Sequence, residues 1–203
     1  MADQPTIDSY NKSAKEYRAT RDQNFWESQI EIFKKYLPSG KVLDIGCGTG
    51  RDTPFLLASG FEYQGIDASE SMLACAREDN PSASYALMDF EKLSFEKESF
   101  DGFWAAAAIL HVRKENTLAV LNGFNAILKK KGIGFISIKP RQNIEEGYIE
   151  QSKWGSVKRF FSFYSQEEFI QLLSRAGFSI LETGNLVEED GTNWLTFFVQ
   201  KHD

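Results

Sequence analysis

The chain is poor in the residues that build covalent or metal scaffolds, with two cysteines and two histidines in 203 residues. Cys47 and Cys75 show neither metal-ligand spacing nor a disulfide framework, so each reads as a small buried residue and no metal is expected. No run approaches the roughly 18 apolar residues of a membrane span. The opening MADQPTIDSY is too polar for a secretory signal, which makes cytoplasmic residence the expectation. A basic stripe is missing too: net charge is −6 and the pI is near 5.1. Lys129-Lys130-Lys131, the one basic cluster, is expected at a helix end, where the helix dipole favours cations. This argues against nucleic acid as a partner. What the chain does have is 42% hydrophobic residues at a length that suits one domain, enough to bury about 70% of its unfolded surface.

The most telling stretch is KVLDIGCGTG, residues 41–50. Val42, Leu43 and Ile45 enter a loop carrying Gly46, Gly48 and Gly50, and RDTPFLLAS (51–59) then reads as a helix. A strand that turns into a helix through glycines sets backbone N–H groups beside an open crevice, a nucleotide-cofactor site. The pyrophosphate pattern GxGxxG would need a third glycine at 51, where Arg51 stands. Asp44, two residues before Gly46, is poorly placed for a pyrophosphate but suits a cation such as an amino-acid ammonium. The plainer alternative is a tight turn that needs small residues. VLDIGCGTG resembles the first motif of the class I S-adenosylmethionine (SAM)-dependent methyltransferases, the small single-domain kind of types 11 and 25.

Strand and helix signals alternate down the chain, which implies a doubly wound, mostly parallel sheet. Strands are expected at 42–45, 63–66, 84–88, 100–106 and 133–138, with helices at 51–59, 70–77, after Val112, and at 166–176. Too little chain separates Leu181 from Leu195 for a crossover helix, and Asp190-Gly191 signals a turn, so the last two strands pair antiparallel. The resemblance implies a Rossmann-like, seven-stranded sheet with one antiparallel strand near the C-terminus. It spans residues ~10–200, so the chain is expected to be a single domain, 1–203, with a helical lid (1–37) and a substrate-side insert (139–165).

Asp67 follows Gly46 by twenty-one positions at the end of strand 2, where an acidic residue meets ribose hydroxyls in such folds. The alternative for Asp67 is capping the next helix, although Ser69 could do that. The resemblance places Cys47 and Ala68 beside the cofactor, and Met88, Asp89 and Phe90 at the adenine, with Met72 on the base's other side. Asp89 is alternatively a turn residue, and Met72 alone is core. Strand 4 and its loop, FDGFWAAAAILHV, resemble the family's fourth motif, in which Ala105 and Ala106 approach the methionine part of the cofactor. His111 is a candidate general base or, equally, a hydrogen-bonded structural histidine. Tyr10, Ala14 and Tyr17 fall on one helical face and resemble the YxxxAxxY segment that covers the cofactor in small-molecule members. From there Arg18 or Arg21 would approach the cofactor carboxylate; the alternative is an amphipathic helix merely packing on the sheet.

The expected cofactor is therefore SAM, with S-adenosylhomocysteine (SAH) as product, and the expected partner a small-molecule methyl acceptor on a monomer or homodimer. Tyr10, Trp154, Arg159 and Tyr164 are candidate acceptor contacts, although the run Phe160-Phe161-Ser162-Phe163-Tyr164 also reads as core filling. A tRNA methyltransferase and a non-catalytic SAM-binding protein remain alternatives. A nicotinamide-dependent dehydrogenase is disfavoured by Arg51 and by the lack of a Tyr-xxx-Lys arrangement.

Overall fold

Period-two alternation in the central strands divides the core between two faces of one sheet. On one face Leu43, Phe103 and Ile136 join Phe124, Phe169 and Phe178; on the other Val42, Trp104 and Phe135 join Trp26, Phe33 and Phe198. Because helices cover both faces, β1 (Lys41–Ile45) is buried from Val42 onward. The computed structural model describes residues 3–20, 24–151 and 157–202.

β1, β2 and β4 each lead toward a helix. α1 (Gln4–Thr20) and α2 (Glu27–Tyr36) precede β1, and then come α3 (Thr53–Ala58), β2 (Glu62–Asp67), α4 (Glu70–Asp79) and β3 (Ser84–Leu87). β4 (Phe100–Ala105), α5 (Lys114–Ile127) and β5 (Leu128–Ile138) follow. β6 (Glu146–Gln151) and β7 (Val157–Ser162) come next, and α6 (Gln166–Arg175), β8 (Phe178–Val187) and β9 (Asn193–Lys201) end the chain. The seven-stranded sheet has the order β3-β2-β1-β4-β5-β9-β8. Its first five strands are parallel, and β9 is antiparallel to both β5 and β8. The strand order reverses between β1 and β4, so a crevice opens at their carboxyl ends. The β8–β9 turn uses Gly191 at φ +82°, its N–H donating to the Glu188 carbonyl at 2.9 Å.

One sequence expectation is corrected here. Lys129–Lys131 do not close a helix: α5 stops at Ile127, and the lysines are exposed on the start of β5. Residues 139–165, expected as a substrate-side insert, carry β6 and β7, which pair antiparallel as a second, two-stranded sheet. β7 buries Val157, Arg159, Phe160, Phe161 and Ser162, and α1 packs across it. Ser9 donates to the Lys158 carbonyl at 2.7 Å, and the Phe160 N–H donates to Thr6 at 2.9 Å. Among the described residues no helix is long and apolar enough to cross a membrane.

Candidate functional site

The glycine loop is fastened before it reaches the crevice. The N–H groups of Gly46 and Cys47 both donate to the Ile66 carbonyl, at 2.8 and 3.0 Å, tying the loop to the end of β2. A Cβ at Gly46 would lie 2.7 Å from that of Ala108, whereas one at Gly48 would meet nothing within 4 Å and enter the open crevice. Gly50 faces away from the crevice, and a Cβ there would strike the Tyr85 hydroxyl at 2.9 Å and Ala76 at 3.0 Å. The third glycine therefore seats the loop on β3 and α4 and does not line the site.

Asp67 spans the loop and the next helix. One carboxylate oxygen accepts from the Gly48 N–H at 2.9 Å and the other from the Ser69 N–H at 2.8 Å. Each oxygen retains lone-pair capacity toward the crevice. Burial lifts its pKa, with the two N–H donors pulling the other way. The helix cap belongs to Ser69, whose hydroxyl accepts from Met72 N. Asp44 is buried and accepts from the Tyr63 hydroxyl at 2.9 Å, in a chain that continues through Thr53 to Tyr85. Burial and the nearby Asp52 charge hold its pKa well above the usual carboxylate range. A cation in the crevice would restore its charged form.

These groups wall a crevice enclosing about 950 Å³, mouth included. Of the residues singled out by sequence, Tyr10, Tyr17, Asp44, Gly46, Cys47, Gly48, Asp67, Ala68, Met72, Phe90, Ala106 and His111 line it. The others do not. Ala105 is sealed in the core, so Ala106–Ala108 form that wall instead. Asp89 accepts from the Glu91 N–H at 2.9 Å and is not on the wall, where Glu91 stands. Met88 is absent from the wall; its N–H is bonded to the Asp67 carbonyl and its sulfur accepts from Ser94. Tyr164 is core: its hydroxyl meets Thr117 at 2.7 Å, its ring packs edge-on to Phe169, and burial pushes its pKa to about 12. Arg159 is buried behind Tyr10, its guanidinium carbon 4.7 Å from the ring centroid, and is not a wall residue. Arg18 reaches away to Glu78 at 2.8 Å. Arg21 and Trp154 lie outside the described residues.

Several wall residues were missed from sequence, Thr49, Arg51, Asp52 and the first turn of α1 among them. Arg51 donates through Nε to Asp52 at 2.8 Å, and the other oxygen of Asp52 accepts from Trp104 Nε1 at 2.9 Å. The adjacent Arg51-Asp52 pair directly after the glycine loop is the available sequence signal.

His111 joins the roof to the floor. Its Nδ1 faces the Phe160 carbonyl at 2.6 Å, and a carbonyl only accepts, so Nδ1 carries the proton. Nε2 then accepts from the Tyr10 hydroxyl at 2.8 Å. Burial, with Arg159 and Lys139 adding to it, lowers the pKa to about 3, and the ring is neutral at neutral pH. The folded pKa is below the unfolded value of about 6.5, so the unfolded chain binds the extra proton first. Stability is therefore expected to fall as pH drops below about 6.5, with this residue costing about 1–2 kcal/mol at pH 5. The buried Asp44 titrates in the opposite sense, so the comparison must be differential. Chemical denaturation at pH 7.5 and 5 should show a smaller acid loss for His111→Gln than for the wild type. Equal losses would show that the imidazole is not held neutral.

Among the described residues no group of three or more His, Cys, Asp or Glu side chains could hold a metal ion. The methyltransferase-domain family model matches residues 42–132. An uncharacterised protein of Methanocaldococcus jannaschii is 30% identical over 173 residues, 83% of this chain and 80% of that protein. An uncharacterised methyltransferase of Schizosaccharomyces pombe is 27% identical over 93% of this chain and 80% of its own length. The fold is shared with the 1,6-didemethyltoxoflavin-N1-methyltransferase of Burkholderia thailandensis, solved with that compound and SAH, at TM-score 0.80 and 19% identity, covering 98% of this chain and 88% of that one.

Proposed function

We propose that this chain, which belongs to the class I SAM-dependent methyltransferases, transfers a methyl group in line to a small-molecule acceptor, working in the cytoplasm. The observation that carries the reading is a crevice walled by the glycine loop, Asp67 and Phe90 and roofed by α1, which is docked over it. The residues fit the cofactor. The open space over Gly48 admits a ligand against backbone, and both Asp67 oxygens can accept from a vicinal diol. Met72 and Phe90 offer apolar surface for a base, Asp44 suits an ammonium, and Arg51 supplies a cation for a carboxylate. Bound there, SAM would supply a methyl group on a sulfonium that is already a good leaving group. The protein's part is then alignment and exclusion of water. The glycine loop and Asp67 hold the donor end, Ala106–Ala108 and His111 bound the acceptor end, and Tyr10 and Tyr17 close the roof.

The roof favours a small acceptor over tRNA. α1 is pinned at five places along its length or just before it: Asp3 to Tyr148, Thr6 to Phe160, Ser9 to Lys158, Tyr10 to His111 and Asn11 to Ser69. Equilibrium titration should show saturable SAM or SAH binding that survives a chelator; binding of NAD with no response to SAM would reverse the cofactor reading. Deleting residues 1–20 should lower methyl transfer at least tenfold, with a smaller loss of SAH affinity, because the donor-end walls lie mostly outside α1. Labelled methyl passing to bulk tRNA, with affinity falling steeply as salt rises, would replace the small acceptor by RNA.

A further inference from the structure

Among the described residues Asp44 is the most deeply buried acid on the crevice wall, at 2% exposure. One of its oxygens accepts from the Tyr63 hydroxyl at 2.9 Å, and the other takes no hydrogen bond from the described residues. Arg51, the cation on this wall, is already paired with Asp52 at 2.8 Å. Taking a carboxylate out of water costs more than one hydroxyl donor returns.

The charged and titratable groups around Asp44 come from every element packed against it. β2 supplies Tyr63 and Asp67, the glycine loop Cys47, the residues before α3 Arg51 and Asp52, and β3 Tyr85 behind Thr53. β4 contributes Trp104, whose indole N–H goes to Asp52. Burial is the largest influence against a negative charge on Asp44; Asp52 and Asp67 add to it, and Tyr63 and Arg51 act the other way. Burial also pushes Cys47, Tyr63 and Tyr85 above their ordinary ranges, so these three stay neutral and add no charge.

We propose that Asp44 carries a proton in the cofactor-free protein and loses it to solvent as the cofactor's ammonium arrives, so that binding of SAM or SAH releases a proton. This rests on the methyltransferase reading of the crevice and adds a proton linkage at the methionine end. The proton sits on the oxygen that Tyr63 does not hold. Its loss leaves a carboxylate beside an ammonium, and that ion pair supplies the compensation that the protein alone does not. Asp44 is thereby a specificity residue. A ligand with the ammonium gains an ion pair, whereas an adenosine compound without it meets a neutral carboxyl and draws no proton off. Because Asp44 holds its proton more tightly in the free protein than in the complex, affinity rises with pH between the two titration points. The rise is up to about tenfold per pH unit for one proton released.

The test is calorimetric titration of the full chain with SAH and with 5′-methylthioadenosine, in phosphate and in imidazole buffer. At one pH, the difference in observed heat between the buffers counts the protons released. Near pH 6.5 SAH is expected to release about one-half to one proton, with affinity rising at least roughly threefold per unit between about pH 5.5 and 7. Methylthioadenosine keeps the ribose and adenine, and with them any response of Asp67, but lacks the ammonium. It should release less than about a fifth of a proton. Asp44→Asn, of the same shape, should abolish the release and weaken SAH at least roughly tenfold, leaving methylthioadenosine within about threefold. Where one comparison fails, through an unfolded variant or a ligand too weak to titrate, the other decides. No release with SAH, equal release with both ligands, or full release from Asp44→Asn overturns the proposal while leaving a SAM-binding protein. Failure of SAH to bind removes the methyltransferase reading itself, and the linkage with it.

Discussion

Gly48→Val is expected to weaken SAH binding by more than about 100-fold, which corresponds to about 2.7 kcal/mol. Two physical effects act together. Gly48 sits at φ +56°, where a β-branched residue is strained. Its new side chain would also project into the crevice, since nothing in the protein lies within 4 Å of that direction. Asp67→Ala should cost less, about 1–3 kcal/mol of binding, because it removes an acceptor without filling space. It also releases the Gly48 and Ser69 N–H groups that the carboxylate now holds. Gly50→Ala, two residues along, should behave differently. It collides with Tyr85 and Ala76 outside the crevice and should lower the melting temperature more than the affinity. Calorimetric titration with SAH, together with thermal unfolding of each variant, separates these outcomes. A folded Gly48→Val protein with wild-type SAH affinity would place the ligand elsewhere.

The contrast between Gly48 and Gly50 shows what could be read from the sequence and what could not. Periodicity and glycine placement located the strands, the loop after β1 and the acid ending β2, because those signals are local. They could not tell which glycine faces a ligand and which faces Tyr85, since the answer depends on β3 and α4. Asp89 and Ala105 lie off the crevice wall for a related reason. A motif fixes a position to within about one residue, and at the end of a strand one residue changes the face. Ala106, which the same motif names, and Glu91, two residues past Asp89, do reach the crevice. Tyr164 and Arg159 lay in an aromatic run with two readings, and β7 with its flanking residues took the buried one. The pairing of β6 with β7 and the bond from Tyr10 to His111 join residues far apart in sequence, and no local pattern announces either.

Trp104→Ala is expected to be the most damaging single change to the fold, costing about 4–6 kcal/mol. At roughly 2–4 °C per kcal/mol for a chain of this size, the melting temperature should fall by about 10–20 °C. The indole is fully buried, stacked on Phe135 at 3.9 Å between ring centroids and edge-on to Phe33 at 5.6 Å. Truncation therefore removes a large apolar volume from the middle of the sheet, where β1 and β5 flank β4 and limit collapse. The indole N–H is also the donor to Asp52 at 2.9 Å, and Asp52 in turn holds Arg51 on the crevice wall. Trp104→Phe separates these contributions. It keeps most of the aromatic packing and loses the donor, so it should cost about 1–3 kcal/mol. If Arg51 needs that anchor, Trp104→Phe should also weaken SAH binding in a protein that remains folded. Chemical denaturation of both variants, with SAH titration of Trp104→Phe, checks the coupling. A Trp104→Ala protein within about 1 kcal/mol of wild type would mean that the β4 core does not support the site in this way.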